Sequence, residues 1–366
     1  MKVLLLAPRM ESAGGIQRYT ITLLRALKDL LLDRSVRFLA LTEVPNRPSY
    51  ARLTTQLKWR FCWKAVRQAV CWQPDLVICT HLALGPIGWF LAKLVRRPYW
   101  IVVHGIEAWT LLPYWRCTAL RHADGVIVTS VFSREQIVKR HRIKSERILS
   151  LPGTLDETLL NVEPAKGRSY RHLSNGQPVV LTVARMVASE RYKGHDVVLQ
   201  ALPSVVAKIP NLAYVVVGDG DDRPRLERLA KHLGLTEYVV FTGEVSESEL
   251  AALYHRSEIF VLPARTVIDD RNPKGEGFGI VFLEAMAFGK PVVGPNYGAP
   301  TEFIRDGENG ILVDPEDVPS VAEALVKLLA DPETARAMGQ AGSDCVRECF
   351  SYGSFRERLR EILASG

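Results

Sequence analysis

The sequence predicts an α/β protein built from two Rossmann-like domains, each with a doubly wound parallel sheet. Short apolar runs alternate with amphipathic helical stretches along the whole chain, which is the pattern of β-α-β units. The chain is also 366 residues long, which exceeds the size at which a single hydrophobic core usually stops growing. Two domains are therefore expected.

The apolar runs of each half predict its strands. In the first half they lie at residues 3–7, 36–41, 76–79, 99–103, 125–129 and 148–151, and in the second half at residues 179–184, 213–217, 239–242, 259–262, 291–294 and 311–313. Helical spacing predicts helices such as residues 17–27, 223–233, 249–255 and 355–363. A polar linker at residues 163–177 separates the halves, so we expect domains over residues 1–170 and 171–345 and a C-terminal helix within residues 346–366.

Charge is distributed unevenly between the two halves. Residues 1–170 contain 26 Lys and Arg against 12 Asp and Glu, a net charge of +14, whereas residues 171–366 have a net charge of −7. This asymmetry indicates that the first half binds an anionic partner, which could be a phospholipid surface, a phosphate-bearing acceptor or nucleic acid. Charges on solvated helix faces would give the same count.

Cysteine usage and hydropathy predict a cytoplasmic protein, either free or peripheral on the inner face of the plasma membrane. None of the six cysteines forms a C-x2-C pair, so neither a zinc site nor an oxidising compartment is expected. The apolar start at residues 3–7 is too short for a secretory signal. The longest apolar run, residues 82–92, is well below the roughly 20 residues of a membrane span.

The most informative segment is the glycine-rich stretch at residues 275–287. Its glycines allow the backbone to approach a ligand closely, and the amides of Gly279, Ile280 and Val281 would be free donors for a phosphate at a helix N-terminus. Glu276 precedes this helix, and Glu284 lies within it. The spacing indicates a nucleotide-sugar site. A buried glycine turn with a capping glutamate is the structural alternative.

This segment resembles the E-x7-E signature of the retaining glycosyltransferases of family 4, such as glycogen synthases and phosphatidylinositol mannosyltransferases. The resemblance extends over most of the chain, through residues 14–15, 185–196, 217–220 and 294–300. It implies the GT-B fold, in which two Rossmann-like domains face each other across a deep cleft and the last helix returns to the first domain. It also implies a metal-independent retaining hexosyltransferase, with Glu276 at the donor sugar and Glu284 at the ribose.

Arg185 and Lys193 are the candidate cations for the donor diphosphate. They follow the first strand of the second half, and a guanidinium fork and a compact ammonium can together replace a metal ion. The segment is similar to the phosphate-binding Arg and Lys pair of the family. Its insert at residues 187–192 is slightly longer than usual, which leaves Arg191 as a competitor for the role, and a plain basic surface loop is the alternative.

The first half supplies the remaining candidates. His104 ends a strand, and the resemblance implies that it contacts the transferred sugar; Glu107 is a weaker candidate. Gly15 lies in the loop after the first strand, an amide-rich anion site, and the resemblance implies that this loop is near the donor phosphate. Arg18 and His81 are candidates for the acceptor. Each of these also has a structural interpretation, as a strand-to-helix turn or a core histidine.

Two other features bear on metals and membranes. Asp219 and Asp221 form a D-x-D pair, but they follow a strand and precede a helix, where aspartates favour capping, so no metal site is expected. Asp269 and Asp270 are expected to flank the donor sugar. Trp59, Cys62, Trp63, Val66 and Val70 fall at helical spacing beside Arg60, Lys64 and Arg67, which predicts a basic amphipathic helix that binds an anionic membrane or packs in its own domain.

The predicted function is transfer of a hexose from a UDP-, GDP- or ADP-sugar to an acceptor hydroxyl in cell-surface glycan or glycolipid synthesis, with no cofactor. The acceptor could be a glycan, a lipid-linked sugar or a small soluble metabolite. Residues 263–266 are similar to those of mannosyltransferases that act on lipids. A sugar-nucleotide epimerase and a non-catalytic anion or nucleic-acid binder stay open as alternatives, although no nucleic-acid motif accompanies the pI of about 9.1.

Overall fold

The computed structural model describes residues 1–10, 14–42, 55–155, 157–165, 173–174 and 176–365. It divides into two compact units. Unit 1 comprises Met1–Thr154, Ile268–Pro273 and Tyr352–Gly366, and unit 2 comprises Leu155–Val267 and Lys274–Ser351. The predicted boundary between residues 170 and 171 lies outside the described residues, so the predicted domain limits stay a prediction.

The described part of unit 1 contains a sheet of six parallel strands in the order β2-β1-β3-β4-β5-β6. The strands are β1 Val3–Arg9, β2 Val36–Thr42, β3 Leu76–Cys79, β4 Tyr99–Val103, β5 Gly125–Val128 and β6 Ile148–Ser150. The helices are α1 Gly15–Leu30, α2 Thr55–Trp72, α3 Gly85–Val95, α4 Tyr114–His122 and α5 Val131–His141, together with a C-terminal helix at Tyr352–Ser365.

The described part of unit 2 also contains six parallel strands, in the order β12-β11-β10-β7-β8-β9. The strands are β7 Val179–Val183, β8 Ala213–Val217, β9 Val239–Gly243, β10 Ile259–Val261, β11 Val292–Pro295 and β12 Gly310–Val313. The helices are α6 Thr158–Asn161, α7 His195–Val206, α8 Arg223–His232, α9 Glu247–Arg256, α10 Ile280–Ala287, α11 Val318–Ala330 and α12 Pro332–Cys349; the C-terminal helix of unit 1 is then α13.

Helices cover both faces of each sheet, which explains why the strands are continuous apolar runs. In β1, Val3 and Leu5 pack on one face with α1 and α13, while Leu4 and Leu6 pack on the other with α2 and α3. All four are fully buried. The predicted α/β class with two Rossmann-like sheets is therefore confirmed, and every predicted strand lies within two residues of an observed one at each end.

The C-terminal helix α13 is part of the unit 1 core. Phe355 and Leu359 are buried beside Tyr19 of α1, and the rings of Tyr19 and Phe355 are 5.7 Å apart. The hydroxyl of Tyr352 donates to Asp29 Oδ2 at 2.5 Å. A segment from the end of the chain thus stabilises helix α1, which begins at the glycine loop after β1.

Candidate active site

The candidate donor site lies in unit 2, beyond the carboxyl ends of β7 and β10. These strands are neighbours in the sheet but not consecutive in the chain, and ligands of open α/β sheets bind where the strand order reverses in this way. Arg185 and Lys193 follow β7, and Glu276 follows β10. The topology therefore joins Lys193 and Glu276, which are 83 positions apart in the sequence.

Lys193 and Glu276 form a largely buried ion pair. Lys193 Nζ donates to Glu276 Oε1 at 2.8 Å, and the two side chains are 14% and 15% exposed. Tyr192 lies beside them, with its ring centroid 5.8 Å from Nζ. Burial, and then the charges of Glu276 and Glu190, raise the pKa of Tyr192, so its hydroxyl stays protonated. A cation suited to phosphate and a carboxylate suited to sugar hydroxyls are thus side by side.

The two arginines of the β7 loop have different partners. Arg191 donates through Nε to Asp222 Oδ1 at 2.9 Å, and Asp222 is 4% exposed. Burial raises the pKa of Asp222, but hydrogen bonds from Arg225 and Arg191 outweigh it and lower the pKa overall. Arg185 pairs with Glu190, and its side chain is 71% exposed. Arg191 therefore fastens the loop to the fold, whereas Arg185 keeps an accessible guanidinium.

The glycine-rich loop ends at the first turn of α10. Gly279 is the N-cap of this helix, with φ of +95°, and a Cβ at this position would lie 2.9 Å from the ring of Phe282. Only glycine fits there without strain. The amides of Gly279, Ile280 and Val281 belong to a helix start, where intrahelical acceptors are missing and anions are attracted. The local geometry suits a phosphate group.

Glu284 lies deeper in α10 and is 1% exposed. The hydroxyl of Tyr254 on α9 donates to Glu284 Oε2 at 2.9 Å. Tyr254 is itself fully buried and stacks on Phe288, with ring centroids 5.1 Å apart and 13° between the planes. Sequence reasoning missed Tyr254, because nothing in its position on an apolar helix face indicated which carboxylate it would meet.

In unit 1, His104 and His81 come directly after β4 and close after β3, which are adjacent strands. Their rings are stacked, with centroids 6.2 Å apart. His104 Nε2 contacts the carbonyl oxygen of Thr80 at 2.8 Å, so Nε2 carries the proton and Nδ1 is the acceptor. Burial lowers the pKa of both histidines, which are therefore neutral at pH 7.

Glu107 and Tyr19 hold His104 in this orientation. The backbone N–H of His104 donates to Glu107 Oε1 at 2.6 Å. The rings of Tyr19 and His104 pack edge-on with centroids 5.2 Å apart, and the Tyr19 hydroxyl donates to the carbonyl of Leu151 at 3.0 Å. Glu107, the weaker candidate from the sequence, thus supports the main chain of His104.

The loop after β1 presents Gly15 and Arg18 at the start of α1. Gly14 is the N-cap in an extended conformation, and Gly15 is the first helical residue. Among the described residues, a Cβ at Gly15 would meet nothing within 4 Å, so none of their side chains crowds the backbone there. Arg18 lies in the first turn, and its N–H donates to the carbonyl of Gly14 at 3.0 Å.

Known proteins match both units. Glycosyltransferase Family 4 matches residues 13–158, and Glycosyl transferases group 1 matches residues 169–344. A GDP-mannose-dependent alpha-(1-6)-phosphatidylinositol monomannoside mannosyltransferase of Mycolicibacterium smegmatis is 35% identical over 71% of this chain and 68% of that protein. The chain belongs to glycosyltransferase family 4. It transfers a sugar from a nucleotide sugar to an acceptor, as the sequence predicted.

Two further similarities agree with a family 4 glycosyltransferase. A D-inositol 3-phosphate glycosyltransferase of Corynebacterium kroppenstedtii is 32% identical over 76% of this chain and 64% of that protein. The crystal structure of HepE from Anabaena in complex with UDP-glucose has a TM-score of 0.80 over 100% of both chains, at 19% identity. The structural likeness shows the GT-B fold, which confirms the predicted fold class.

The aspartates near β8 have structural partners in this family 4 enzyme. Asp219 Oδ1 accepts from the N–H of Gly220 at 2.8 Å, and Asp221 Oδ1 accepts from the N–H of Ala188 at 2.7 Å. Among the described residues, no group of three or more His, Cys, Asp or Glu side chains is arranged to hold a metal ion. Asp221 therefore braces the loop that carries Arg185 and Lys193.

Asp270 is predicted to flank the donor sugar, and this stays a prediction. It belongs to the short segment Ile268–Pro273, which groups with unit 1. There the Asp270 carboxylate forms an ion pair with Arg140, and its carbonyl accepts from Thr110 Oγ1 at 2.5 Å. Its charge is compensated within the first unit of this glycosyltransferase.

Helix α2 of the glycosyltransferase packs in its own unit, but part of its apolar stripe is exposed. Phe61, Ala65 and Ala69 are 5% exposed or less, while Trp59 and Trp63 are 72% and 63% exposed. Cys62 and Val66, also in the predicted stripe, are partly buried against the unit 1 core. The tryptophans therefore project outward on the same helix as the exposed side chains of Arg60, Lys64 and Arg67.

Among the described residues, no helix combines the length and apolar character needed to cross a bilayer.

Removing the Tyr254 hydroxyl is expected to destabilise the enzyme strongly. Tyr254→Phe would leave the buried Glu284 carboxylate without one donor, and a hydrogen bond to a charged group contributes about 1.5 to 3 kcal/mol to the free energy of unfolding. Tyr214→Phe is a matched control, because the buried Tyr214 hydroxyl donates to neutral Thr182 Oγ1 at 2.9 Å and should contribute about 1 kcal/mol. Urea unfolding measures the free energy of unfolding of both variants. Equal decreases would contradict a hydrogen bond from Tyr254 to a charged Glu284.

Proposed function

We propose that this glycosyltransferase moves mannose from GDP-mannose to a hydroxyl of an inositol-containing glycolipid, with retention of configuration and without a metal ion. The observation that carries the transfer chemistry is the buried pair of Lys193 and Glu276, beside the helix start at Gly279. The similarity to the phosphatidylinositol monomannoside mannosyltransferase supports the choice of donor and acceptor.

In this proposal, unit 2 binds the donor. Arg185, Lys193 and the first-turn amides of α10 neutralise the diphosphate, since fixed cations and amide dipoles stabilise charge best in a site that needs no reorganisation. Glu276 accepts hydrogen bonds from hydroxyls of the sugar, and Glu284 accepts them from the ribose. The low exposure of both carboxylates strengthens such bonds, because water is largely excluded.

Retention follows from attack on the same face from which the nucleotide departs. The acceptor oxygen bonds to the anomeric carbon as the bond to the diphosphate oxygen breaks, and that phosphate oxygen takes the acceptor proton. Arg185 and Lys193 stabilise the negative charge of the departing diphosphate. No carboxylate forms a covalent bond in this scheme, and no metal ion is required, so excess EDTA should leave the turnover unchanged.

The remaining proposed roles belong to residues of unit 1. His104 Nδ1 is an acceptor for a hydroxyl of the transferred sugar, because Nε2 is engaged by Thr80. Gly15 offers an open backbone for close approach of the phosphate. Arg18 and His81 are assigned to the acceptor, where a cation and a neutral imidazole suit a phosphate and a hydroxyl, respectively.

A panel of substrates tests this proposal. GDP-mannose is expected to raise the melting temperature more than UDP-glucose or ADP-glucose, because ligand binding to the native state stabilises it. With labelled GDP-mannose, the label should enter phosphatidylinositol monomannoside in the organic phase. The similarity to an inositol phosphate glycosyltransferase favours a small soluble acceptor as the second candidate; label confined to inositol 3-phosphate would establish it and contradict the lipid acceptor.

We also propose that α2 places the enzyme on an anionic membrane. Replacing both Trp59 and Trp63 with alanine should abolish flotation with vesicles of phosphatidylglycerol and phosphatidylcholine at low salt, since exposed tryptophans beside basic residues bind such interfaces. Leu32→Ala is the control, because Leu32 is an 83% exposed apolar residue of unit 1 outside α2. Flotation that the double variant retains in full would contradict the role of α2.

A further inference from the structure

The loop that carries both phosphate-binding cations also contains a carboxylate with no role in the scheme above. Glu190 lies in the short 3-10 segment Ala188–Lys193 and pairs through Oε1 with Arg185 Nη2. Its side chain is 17% exposed, and among the described residues its buried Oε2 has no hydrogen-bond partner. A buried charged oxygen left unsatisfied is unfavourable, so this position requires an explanation other than stability.

The main chain around Glu190 is fixed, so the movable partner is Arg185. Asp221 Oδ1 accepts a hydrogen bond from the N–H of Ala188 at 2.7 Å, and Arg191 forms an ion pair with Asp222. The N–H of Glu190 donates to the carbonyl of Val187 at 2.7 Å. The arginine that would meet the diphosphate is instead a long, exposed side chain that can exchange one anionic partner for another.

We propose that Glu190 is a positioning residue that competes with the diphosphate for Arg185 and thereby weakens retention of the nucleotide diphosphate product. This inference rests on the proposed placement of Arg185 at the donor diphosphate. Lys193 has its own carboxylate, Glu276, so each of the two candidate phosphate-binding cations is paired with a glutamate. An incoming diphosphate must displace both carboxylates and bind next to their charges.

The competition between Glu190 and the diphosphate for Arg185 weakens binding of the nucleoside diphosphate product more than binding of the nucleotide sugar. In a nucleotide sugar, the terminal phosphate is esterified, whereas in the released nucleoside diphosphate it can ionise a second time, with a pKa near 6. The product therefore carries more negative charge at pH 7 and is repelled more strongly by the Glu190 carboxylate. Glu190 thus favours departure of the nucleotide after transfer, while Arg185 remains available to the donor.

Calorimetric titration of the full chain with GDP and with UDP tests the inference. Glu190→Gln keeps the shape of the side chain and removes its charge, and it is expected to lower the Kd by about two- to fivefold, the range for loss of one exposed ion-pair competitor. Glu190→Ala should shift the Kd in the same direction. Glu237→Gln removes the charge of an exposed glutamate of unit 2 outside this loop and should leave the Kd unchanged.

A double-variant cycle identifies Arg185 as the mediator. In an Arg185→Gln background, Glu190→Gln should no longer tighten binding, because the contested guanidinium is absent. An unchanged or higher Kd in Glu190→Gln, at an unchanged urea midpoint, would overturn the inference while leaving the proposed function intact. If Arg185→Gln alone does not weaken GDP or UDP binding, the proposed donor site fails, and the inference fails with it.

Discussion

Lys193→Gln is expected to lower kcat/KM for the nucleotide sugar by about 100- to 1,000-fold, the range seen when one preorganised charge-stabilising donor is removed. Lys193 is 14% exposed, so its charge acts in a poorly screened environment. The loss should appear in both binding and turnover, because the diphosphate is present in the ground state and gains charge as it leaves. Initial rates and calorimetric Kd values for GDP measure the two contributions.

Stability must be separated from chemistry in this variant. Removing the ammonium group leaves Glu276 as a largely buried carboxylate without its partner, which lowers the free energy of unfolding. Lys208→Gln is the matched control, since Lys208 is an exposed lysine of the same unit and should leave both rate and stability unchanged. A folded Lys193→Gln variant with full activity would remove Lys193 from the donor site.

The strands of this enzyme could be predicted because each is buried on both faces. Residues 3–7, for example, form a continuous apolar run without the alternation of a half-buried strand. Such a run predicts a strand that is buried on both faces. The GT-B fold is what the family resemblance implies, and the structural likeness confirms that fold class. The candidate donor residues could be named for the same reason, since they lie in motifs contiguous in sequence.

The pairings within the site could not be predicted. Glu190 lies five positions from Arg185, and Tyr254 is thirty positions from Glu284, but neither separation specifies a contact. The partners of Arg191 and Arg185 depend on how the loop turns back towards α8, and only the structure distinguishes the anchored arginine from the accessible one. Sequence motifs thus name the candidate ligand-binding residues but not the residues that position them.

Helix α2 shows a second limit. Its large apolar residues at helical spacing left open whether that face binds a membrane or packs in its own domain. In the structure Ala65 and Ala69 are fully buried, whereas Trp59 and Trp63 are exposed. Small residues allow a helix to lie close to a sheet, where bulky tryptophans would not fit. Burial was therefore decided by the available space next to the sheet rather than by side-chain hydrophobicity.

Glu276→Gln is expected to separate sugar transfer from nucleotide binding. The amide keeps the size of the side chain but weakens its hydrogen bonds to sugar hydroxyls, and loss of a charged hydrogen bond corresponds to about a 10- to 100-fold lower kcat/KM for GDP-mannose. GDP, which has no sugar, should bind as well as before or more tightly, because Lys193 loses its competing carboxylate. Glu237→Gln is the control, since Glu237 is an exposed glutamate of unit 2.

The two variants of one ion pair should therefore move the Kd for GDP differently. Lys193→Gln raises it, since a cation at the phosphates is lost, whereas Glu276→Gln leaves it unchanged or lowers it, since an anion beside the phosphates is lost. A pair with a merely structural role would weaken binding in both variants, because either change breaks the same contact. Parallel losses of GDP affinity in Lys193→Gln and Glu276→Gln would thus reject the division of the pair into a phosphate cation and a sugar carboxylate.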